Sequence, residues 1–177
     1  MKFNTKRLIV SGVLMAFGLV IPMAFHGAGM AGPIFLPMHI PVLVGGFILS
    51  PLYALFVGMF TPVLSSFLTG MPPAFPILPI MIFELGLYGW SISVLKRKTS
   101  LNQFSILVLG MVAGRLGAGA IVGLLASGFG LKMNPMIYLQ GAVANGLPGI
   151  VLQMIFIPPL MKAVERAGFV SDQKAQV

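Results

Sequence analysis

The chain has 177 residues, of which 58% are hydrophobic and only 8% are charged, with a mean hydropathy of +1.02 and a net charge of +8. A soluble domain carries roughly 25% charged residues, so this composition excludes a water-soluble globular protein and indicates an integral membrane protein. The absence of cysteine excludes disulfides and cysteine-based metal or redox sites. The basic residues form short clusters between apolar runs, which favours membrane orientation over nucleic-acid binding.

Six apolar runs predict an all-α fold, because a helix needs about 20 apolar residues to cross a membrane. The predicted spans are residues 8–25, 39–50, 52–69, 77–95, 102–127 and 137–161, within a single integral membrane domain, residues 1–177. The second span is short for a full crossing, Ser50-Pro51 breaks the chain before the third, and Pro148 is expected to interrupt the sixth. The first run lacks a clear signal-peptide cleavage site, so it is interpreted as a helix of the mature protein.

An even number of spans places both termini on one side of the membrane, and the charges identify that side. Nine Lys and Arg residues fall in the termini and the loop 96–101, whereas the opposite loops (26–38, 70–76 and 128–136) hold only Lys132. Positive residues resist translocation, so the termini are expected to be cytoplasmic. The Gly-rich loop 26–38 is expected to cover a cavity, the Pro-rich loop 70–76 to be rigid, and "SDQKAQV" at the C-terminus to be a frayed tail.

Two charged residues lie inside apolar runs: Glu84 in "PIMIFELGLYGW" and Arg115 in "GMVAGRLGAGAIVG". A charge at mid-bilayer costs roughly 2.5–3.5 kcal/mol on insertion scales, so both should face the bundle interior, either as a structural ion pair or as part of a binding site. The sixth span adds Gln140, Asn145 and Gln153, with Gly141, Asn145 and Gly149 on one stripe. For Asn145 a bond between helices and a ligand contact are equally consistent with the pattern.

Glycines recur at three- and four-residue spacings in the fifth span and are predicted to serve helix packing. His26 and His39 are thirteen residues apart with no acidic neighbour, so no metal site is expected; His39, at a helix start, is expected to contact a ligand or loop. The chain lacks the GK[ST] phosphate loop, HExxH and GxSxG motifs, so it is not expected to be an enzyme or to hold a cofactor.

The segments "TKRLIVSGVLMAFGLVIP" and "FLPMHIPVLVGGFILSPLYALFVGMFTPVLSSFLTGMPPAFP" resemble the substrate-binding S components of energy-coupling factor (ECF) vitamin transporters. The resemblance covers about residues 5–165, with Gly12 and Ala16 at the usual Ala-x-x-x-Ala pattern of the first helix. It implies a six-helix bundle in a prokaryotic plasma membrane that binds a water-soluble vitamin near the outer face. It also implies a membrane-embedded coupling protein, contacted through Gly12 and Ala16, and two cytoplasmic ATPases.

The same resemblance places the pocket among helices four to six, where Glu84, Arg115, Asn145 and Gln140 lie, with His39 and "GMPPAFP" above it. Tyr88 and Phe75 are expected to cover the apolar part of the ligand. Arginine offers a fork to a carboxylate, which suits pantothenate or nicotinate, whereas Glu84 would suit a pyridoxine-like or pyrimidine ligand. The alternative function is an autonomous proton-coupled secondary transporter or channel using Glu84, although no inverted repeat favours it. An intramembrane enzyme would need a convergent catalytic set, and only scattered single residues are present.

Overall fold

A computed structural model describes residues 5–27 and 32–167 of the chain. Part of the predicted outer loop (28–31) and the predicted C-terminal tail lie outside these residues. The regular elements of the described ranges are helices: α1 Thr5–Gly27, α2 Gly32–Phe35, α3 His39–Ile48, α4 Pro51–Thr69, α5 Ile77–Lys98, α6 Gln103–Phe129 and α7 Pro135–Arg166. The predicted all-α membrane fold is confirmed.

Five of these helices (α1, α4, α5, α6 and α7) are long and apolar enough to cross a membrane. The exception among the predicted spans is α3, which has 10 residues. At a rise of 1.5 Å per residue α3 is about 15 Å long, half of the roughly 30 Å hydrocarbon core. The second predicted span is therefore a half-length helix.

The structure corrects two local expectations. Pro148 does not interrupt α7, which continues as one helix through Pro148, Pro158 and Pro159. Proline removes a single backbone hydrogen bond, and membrane helices accommodate this by local adjustment and through their neighbours. The outer loop 26–38 is not wholly irregular, because it contains the short helix α2 immediately before α3.

Helix α5 is the centre of the bundle and packs against α3, α4 and α6. Glycines permit these close contacts: a Cβ on Gly58 of α4 would collide with the Leu85 carbonyl group, and one on Gly89 would collide with the backbone of Ala54. The glycines of α6 serve the same purpose, since Gly110 faces Ile92 and Gly114 faces Tyr88. The predicted packing role of the fifth-span glycines is confirmed.

The basic ends of the helices meet at one end of the bundle. Lys96, in the last turn of α5, forms an ion pair with Glu165 near the end of α7, with Nζ 2.7 Å from Oε1. Arg7, in the first turns of α1, is close enough to Arg97 for their charges to interact. Lys132 follows α6 at the opposite end. From this asymmetry the Lys96 end is expected to be cytoplasmic.

Helix α3 runs parallel to α5 towards the cytoplasmic end. The Ser93 hydroxyl donates a hydrogen bond to the carbonyl oxygen of Leu49, just beyond the end of α3, at 2.6 Å. At the other end of α3, His39 lies beside Glu84 and Tyr88 of α5. Because α3 begins at this depth, the outer half of the bundle contains one helix fewer than the cytoplasmic half.

Candidate functional site

A cavity of about 1070 Å³ occupies the outer half of the bundle. Ligand pockets generally measure roughly 300–1,000 Å³, so the cavity has room for a vitamin-sized molecule. Its wall combines the end of α1, the segment before α3, the end of α4 with the following loop, and parts of α5, α6 and α7; the lining includes Pro22, Met23, Leu36, His39, Ser65, Leu68, Met71, Pro72, Ile77, Met81, Glu84, Arg115, Ile137, Tyr138, Gly141 and Asn145.

An ionic cluster lies at the bottom of this cavity. The Glu84 side chain is only 2% exposed, and its Oε1 lies 2.7 Å from Arg115 Nη1. The Tyr88 hydroxyl donates a hydrogen bond to the same oxygen at 2.9 Å. The two intramembrane charges predicted from the sequence are therefore an ion pair that also borders a cavity.

Local sequence explains how these groups meet. Glu84 and Tyr88 are four residues apart on α5, so their side chains share one helix face. Gly114 on α6 presses against the Tyr88 ring and the Glu84 carbonyl oxygen, which a Cβ at that position would approach to 2.8 Å. The adjacent residue, Arg115, is thereby brought within reach of the Glu84 carboxylate.

The ion pair leaves hydrogen-bonding capacity facing the cavity. A guanidinium group has five N–H donors and a carboxylate has two acceptor oxygens. Oε1 is the Glu84 atom in the contacts to Arg115 Nη1 and to the Tyr88 hydroxyl. Both charged side chains also line the cavity, so further acceptor and donor positions of the pair can serve a bound molecule there.

His39 is a buried residue whose ring nitrogens make no hydrogen bond within the described part of the chain. The residue is 4% exposed. Nε2 lies 3.8 Å from Glu84 Oε1, which is beyond hydrogen-bond distance. Most buried polar side-chain atoms in proteins are hydrogen-bonded, so an unpartnered imidazole on a cavity wall is suited to contacting a ligand.

Helix α7 contributes to two different parts of the structure. Tyr138, Gly141 and Asn145 share one face and line the cavity. Deeper in the bundle, Gly149 packs against the carbonyl oxygens of Ile34 and Phe35, and a Cβ there would lie 2.7 and 2.6 Å from them. The predicted polar stripe of the sixth span thus divides into a cavity wall and an anchor for α2.

Three of the predicted site residues do not line the large cavity: Tyr88, Phe75 and Gln140. Phe75 is 55% exposed, and its ring packs against that of Phe129 with centroids 6.2 Å apart. Gln140 is exposed and lies one position before Gly141, so its side chain leaves α7 about 100° away from the cavity face. We therefore leave Phe75 and Gln140 out of the candidate site. Tyr88, which was expected to cover the apolar part of the ligand, instead contacts the Glu84 carboxylate and borders only the smaller cavity described below.

The sequence reasoning missed several contributors. Tyr138 lies seven residues before Asn145 on the same face of α7, and this spacing was a usable signal. Ser65 lines the cavity and also donates to the Met71 carbonyl oxygen at 2.7 Å, which fastens the loop 70–76 to α4. Nothing in the local sequence around Ser65 indicated that contact.

A second, smaller cavity of about 300 Å³ lies between α6 and α7. Leu36, His39 and Arg115 line both cavities, so they form the partition between them. Tyr88 and Gln153 border only the smaller one. Its remaining lining is aliphatic or methionine, including Val108, Met111, Val112, Leu116, Leu139, Val143, Ile150 and Met154.

The predicted partner surface on α1 is open. A Cβ added to Gly12 would have no atom within 4 Å, and Ala16 is exposed one turn further along. Neighbouring large side chains on α1, including Leu8, Val13 and Phe17, are also exposed. This side of α1 is free to face lipid or another membrane protein.

Comparison with known proteins gives one match. A family model described as "ECF transporter, substrate-specific component" matches residues 6–161. No curated protein and no solved structure matches the chain.

Proposed function

The chain belongs to the substrate-specific components of ECF transporters, and from this membership we propose that it binds a small water-soluble vitamin or vitamin precursor with high affinity. Membership makes it a multi-pass membrane subunit that binds a small-molecule substrate and associates with an ECF module. The site we propose is the cavity of about 1070 Å³ in the outer half of the bundle.

The observation that carries this proposal is the buried ionic cluster at the bottom of the cavity. A charged pair inside a membrane protein is costly unless it has partners or a function. Glu84 and Arg115 are paired, yet both also line the cavity. We assign ligand contact to Glu84, Arg115, His39 and Asn145, and we assign to Tyr88 the positioning of the Glu84 carboxylate.

The ligand candidates follow from these groups. Arg115 can hold the carboxylate of pantothenate or nicotinate, whereas Glu84 can accept a hydrogen bond from a pyridoxine or pyrimidine ligand. Transport would require a membrane-embedded coupling protein and two ATPases, with Gly12 and Ala16 of α1 at the contact. Small residues at these positions let another helix approach closely.

Isothermal titration of the purified protein with a panel of vitamins tests the binding function. We expect one compound to bind tightly, and Glu84→Gln to weaken its binding by at least tenfold or to change the preferred ligand. Gln140→Leu is the matched control, because Gln140 is exposed and outside the cavity lining. Unaltered affinity in Glu84→Gln would remove Glu84 from the site.

Proteoliposomes distinguish an S component from a secondary transporter that uses Glu84. An S component alone binds ligand but gives no sustained uptake, whereas a proton-coupled transporter accumulates ligand when a pH gradient is imposed. Gradient-driven uptake by this chain alone would contradict the proposed function. The pairing of Glu84 with Arg115 argues against a freely titrating proton carrier.

A further inference from the structure

We propose that the cavity selects an uncharged nitrogen heterocycle whose edge carries a hydrogen-bond acceptor beside a donor, as in a cyclic amide or an aminopyrimidine, and that it discriminates against anionic ligands. This inference rests on the proposed binding function and narrows the substrate class of the same site.

The first observation is the charge of the lining. Among the described residues that line the large cavity, Glu84 and Arg115 are the two with formal charges. Their separation of 2.7 Å makes them an internally neutralised pair. An anion placed beside this pair would leave one negative charge unbalanced in a mostly apolar cavity, which is costly.

The second observation is the hydrogen-bonding pattern that remains. Oε1 of Glu84 already receives the Tyr88 hydroxyl and Arg115 Nη1. The second oxygen of Glu84 is a further acceptor and the remaining N–H groups of Arg115 are further donors, and these two paired side chains lie together in the cavity lining. A ligand that bonds to both residues needs a donor for Glu84 next to an acceptor for Arg115. Cyclic amides and aminopyrimidines have such an edge.

The third observation is His39, whose ring nitrogens are buried and unpartnered among the described residues. A neutral imidazole offers one donor and one acceptor, so it can bond to either kind of polar atom on a heterocycle. It forms part of the same partition as Arg115. A ligand that bonds to the ion pair can therefore reach His39 as well.

The remaining wall suits an apolar ring. Met23, Leu68, Met71, Pro72, Ile77 and Met81 all line the cavity. Lys132, which could have held a phosphate or a second carboxylate, is absent from this lining. A ligand with a negatively charged substituent would find no second cation in the described part of the wall.

Matched ligand pairs test the charge preference. We would titrate the full-length protein in detergent, at about pH 8 where histidine side chains are ordinarily neutral, with nicotinamide and nicotinate, pantothenol and pantothenate, and an aminopyrimidine alcohol and its phosphate. In each ligand pair that binds, we expect the uncharged compound to bind at least tenfold more tightly than the anionic one. Equal or tighter binding of the anionic member would overturn this inference and leave the binding function intact. Absence of binding by every compound, and by the wider vitamin panel, would contradict the function itself.

A charge-changing variant provides a second test. Glu84→Gln leaves the Arg115 charge unbalanced, so the preference should move towards the anionic member of the pair by at least tenfold. Gln140→Leu, outside the cavity lining, keeps both charges and should preserve the wild-type ratio. The double variant Glu84→Gln, Arg115→Gln restores neutrality, and its preference should return to the uncharged member. A ratio that does not change in Glu84→Gln would refute the charge argument.

Methylation of the ligand tests whether its adjacent donor and acceptor are recognised. In the tightest uncharged binder, replacing the N–H that adjoins the carbonyl or ring acceptor by N-methyl should weaken binding at least tenfold, because the donor to Glu84 is lost. Methylation at a ring position remote from that edge is the control. Equal tolerance of both methyl groups would contradict recognition through a paired donor and acceptor.

Discussion

Gln153 on α7 donates a hydrogen bond from Nε2 to the carbonyl oxygen of Leu36 at 3.2 Å, joining positions 117 residues apart. Leu36 has a left-handed backbone conformation with φ of 50°, which reverses the chain between α2 and α3. Gln153 is 1% exposed, so the bond is sheltered from water and lipid. This contact fixes the segment that ends at His39 and thereby sets one wall of the cavity.

We expect Gln153→Leu to destabilise the protein, because the Leu36 carbonyl oxygen would lose one of its two partners and keep only the His39 N–H, which lies at 3.0 Å. The net loss of one hydrogen bond costs about 0.5–1.5 kcal/mol. Ligand affinity should also fall several-fold as the segment before His39 loosens. Unfolding in detergent and isothermal titration measure the two effects. Gln140→Leu on the exposed side of the same helix should alter neither, and an equal effect of both variants would contradict this role of Gln153.

Gly149→Ala should also be destabilising, by about 1–3 kcal/mol, since the added Cβ would overlap the backbone of α2. Gly141→Ala is the matched control on α7, because a Cβ there has no atom within 4 Å. Thermal unfolding of the two variants gives the comparison. A Gly149 variant as stable as the Gly141 variant would show that α2 does not pack against α7 as described.

Arg115→Met should lower stability by about 3–5 kcal/mol, because it leaves the Glu84 carboxylate buried and uncompensated. The double variant Glu84→Gln, Arg115→Met removes both charges and should recover most of that loss. Denaturant titration measures each free energy of unfolding. If the double variant were no more stable than Arg115→Met alone, the buried ion pair would not be the source of the effect.

His39→Leu should separate binding from stability. Leucine removes a buried polar group that makes no hydrogen bond within the described residues, so stability should be unchanged or higher by up to about 2 kcal/mol. Ligand affinity should fall at least tenfold. Ser93→Ala is the converse variant: it breaks the bond to the Leu49 carbonyl oxygen and should cost about 1 kcal/mol while leaving affinity intact. Reduced stability with normal affinity in His39→Leu would assign His39 a structural role.

Gly12→Leu on α1 should leave folding and ligand binding intact, because Gly12 is exposed and a Cβ added there would have no atom of the described residues within 4 Å. It should, however, reduce co-purification with the ECF coupling protein by at least fivefold if α1 is the contact. Leu124→Trp, at another exposed membrane position, is the control. Full co-purification of Gly12→Leu would place the contact elsewhere on the bundle.

Hydropathy was sufficient to predict the helices, because lipid requires long apolar helical segments. The orientation stays a prediction from the positive charges. Hydropathy also identified Glu84 and Arg115, since isolated charges stand out in apolar runs. The contact between the two could not be read from the sequence: it depends on Gly114 letting α6 approach α5 closely. The bond from Gln153 to Leu36 was equally hidden, because it joins distant segments through a backbone carbonyl group that every residue type carries.

The prediction for Phe75 shows a different limit. The Pro-rich segment 70–76 was identified as a loop, but the direction of each side chain in a loop depends on its individual backbone angles and not on a fixed period. Phe75 instead meets Phe129, at the far end of α6. Side-chain direction was predictable for Asn145, because residues of a regular helix follow a fixed period. Its spacing from Gly141 placed both residues on one face of α7.

The point at which α3 begins affects the size of the cavity that we propose as the binding site. If this helix began one turn earlier, it would extend about 5.4 Å further outward and fill space that is now empty. If α3 began one turn later, the cavity would be deeper by about the same length. In a bundle of this kind, a change in the residue at which α3 begins can therefore adapt the cavity to ligands of different size. The five long helices need not change.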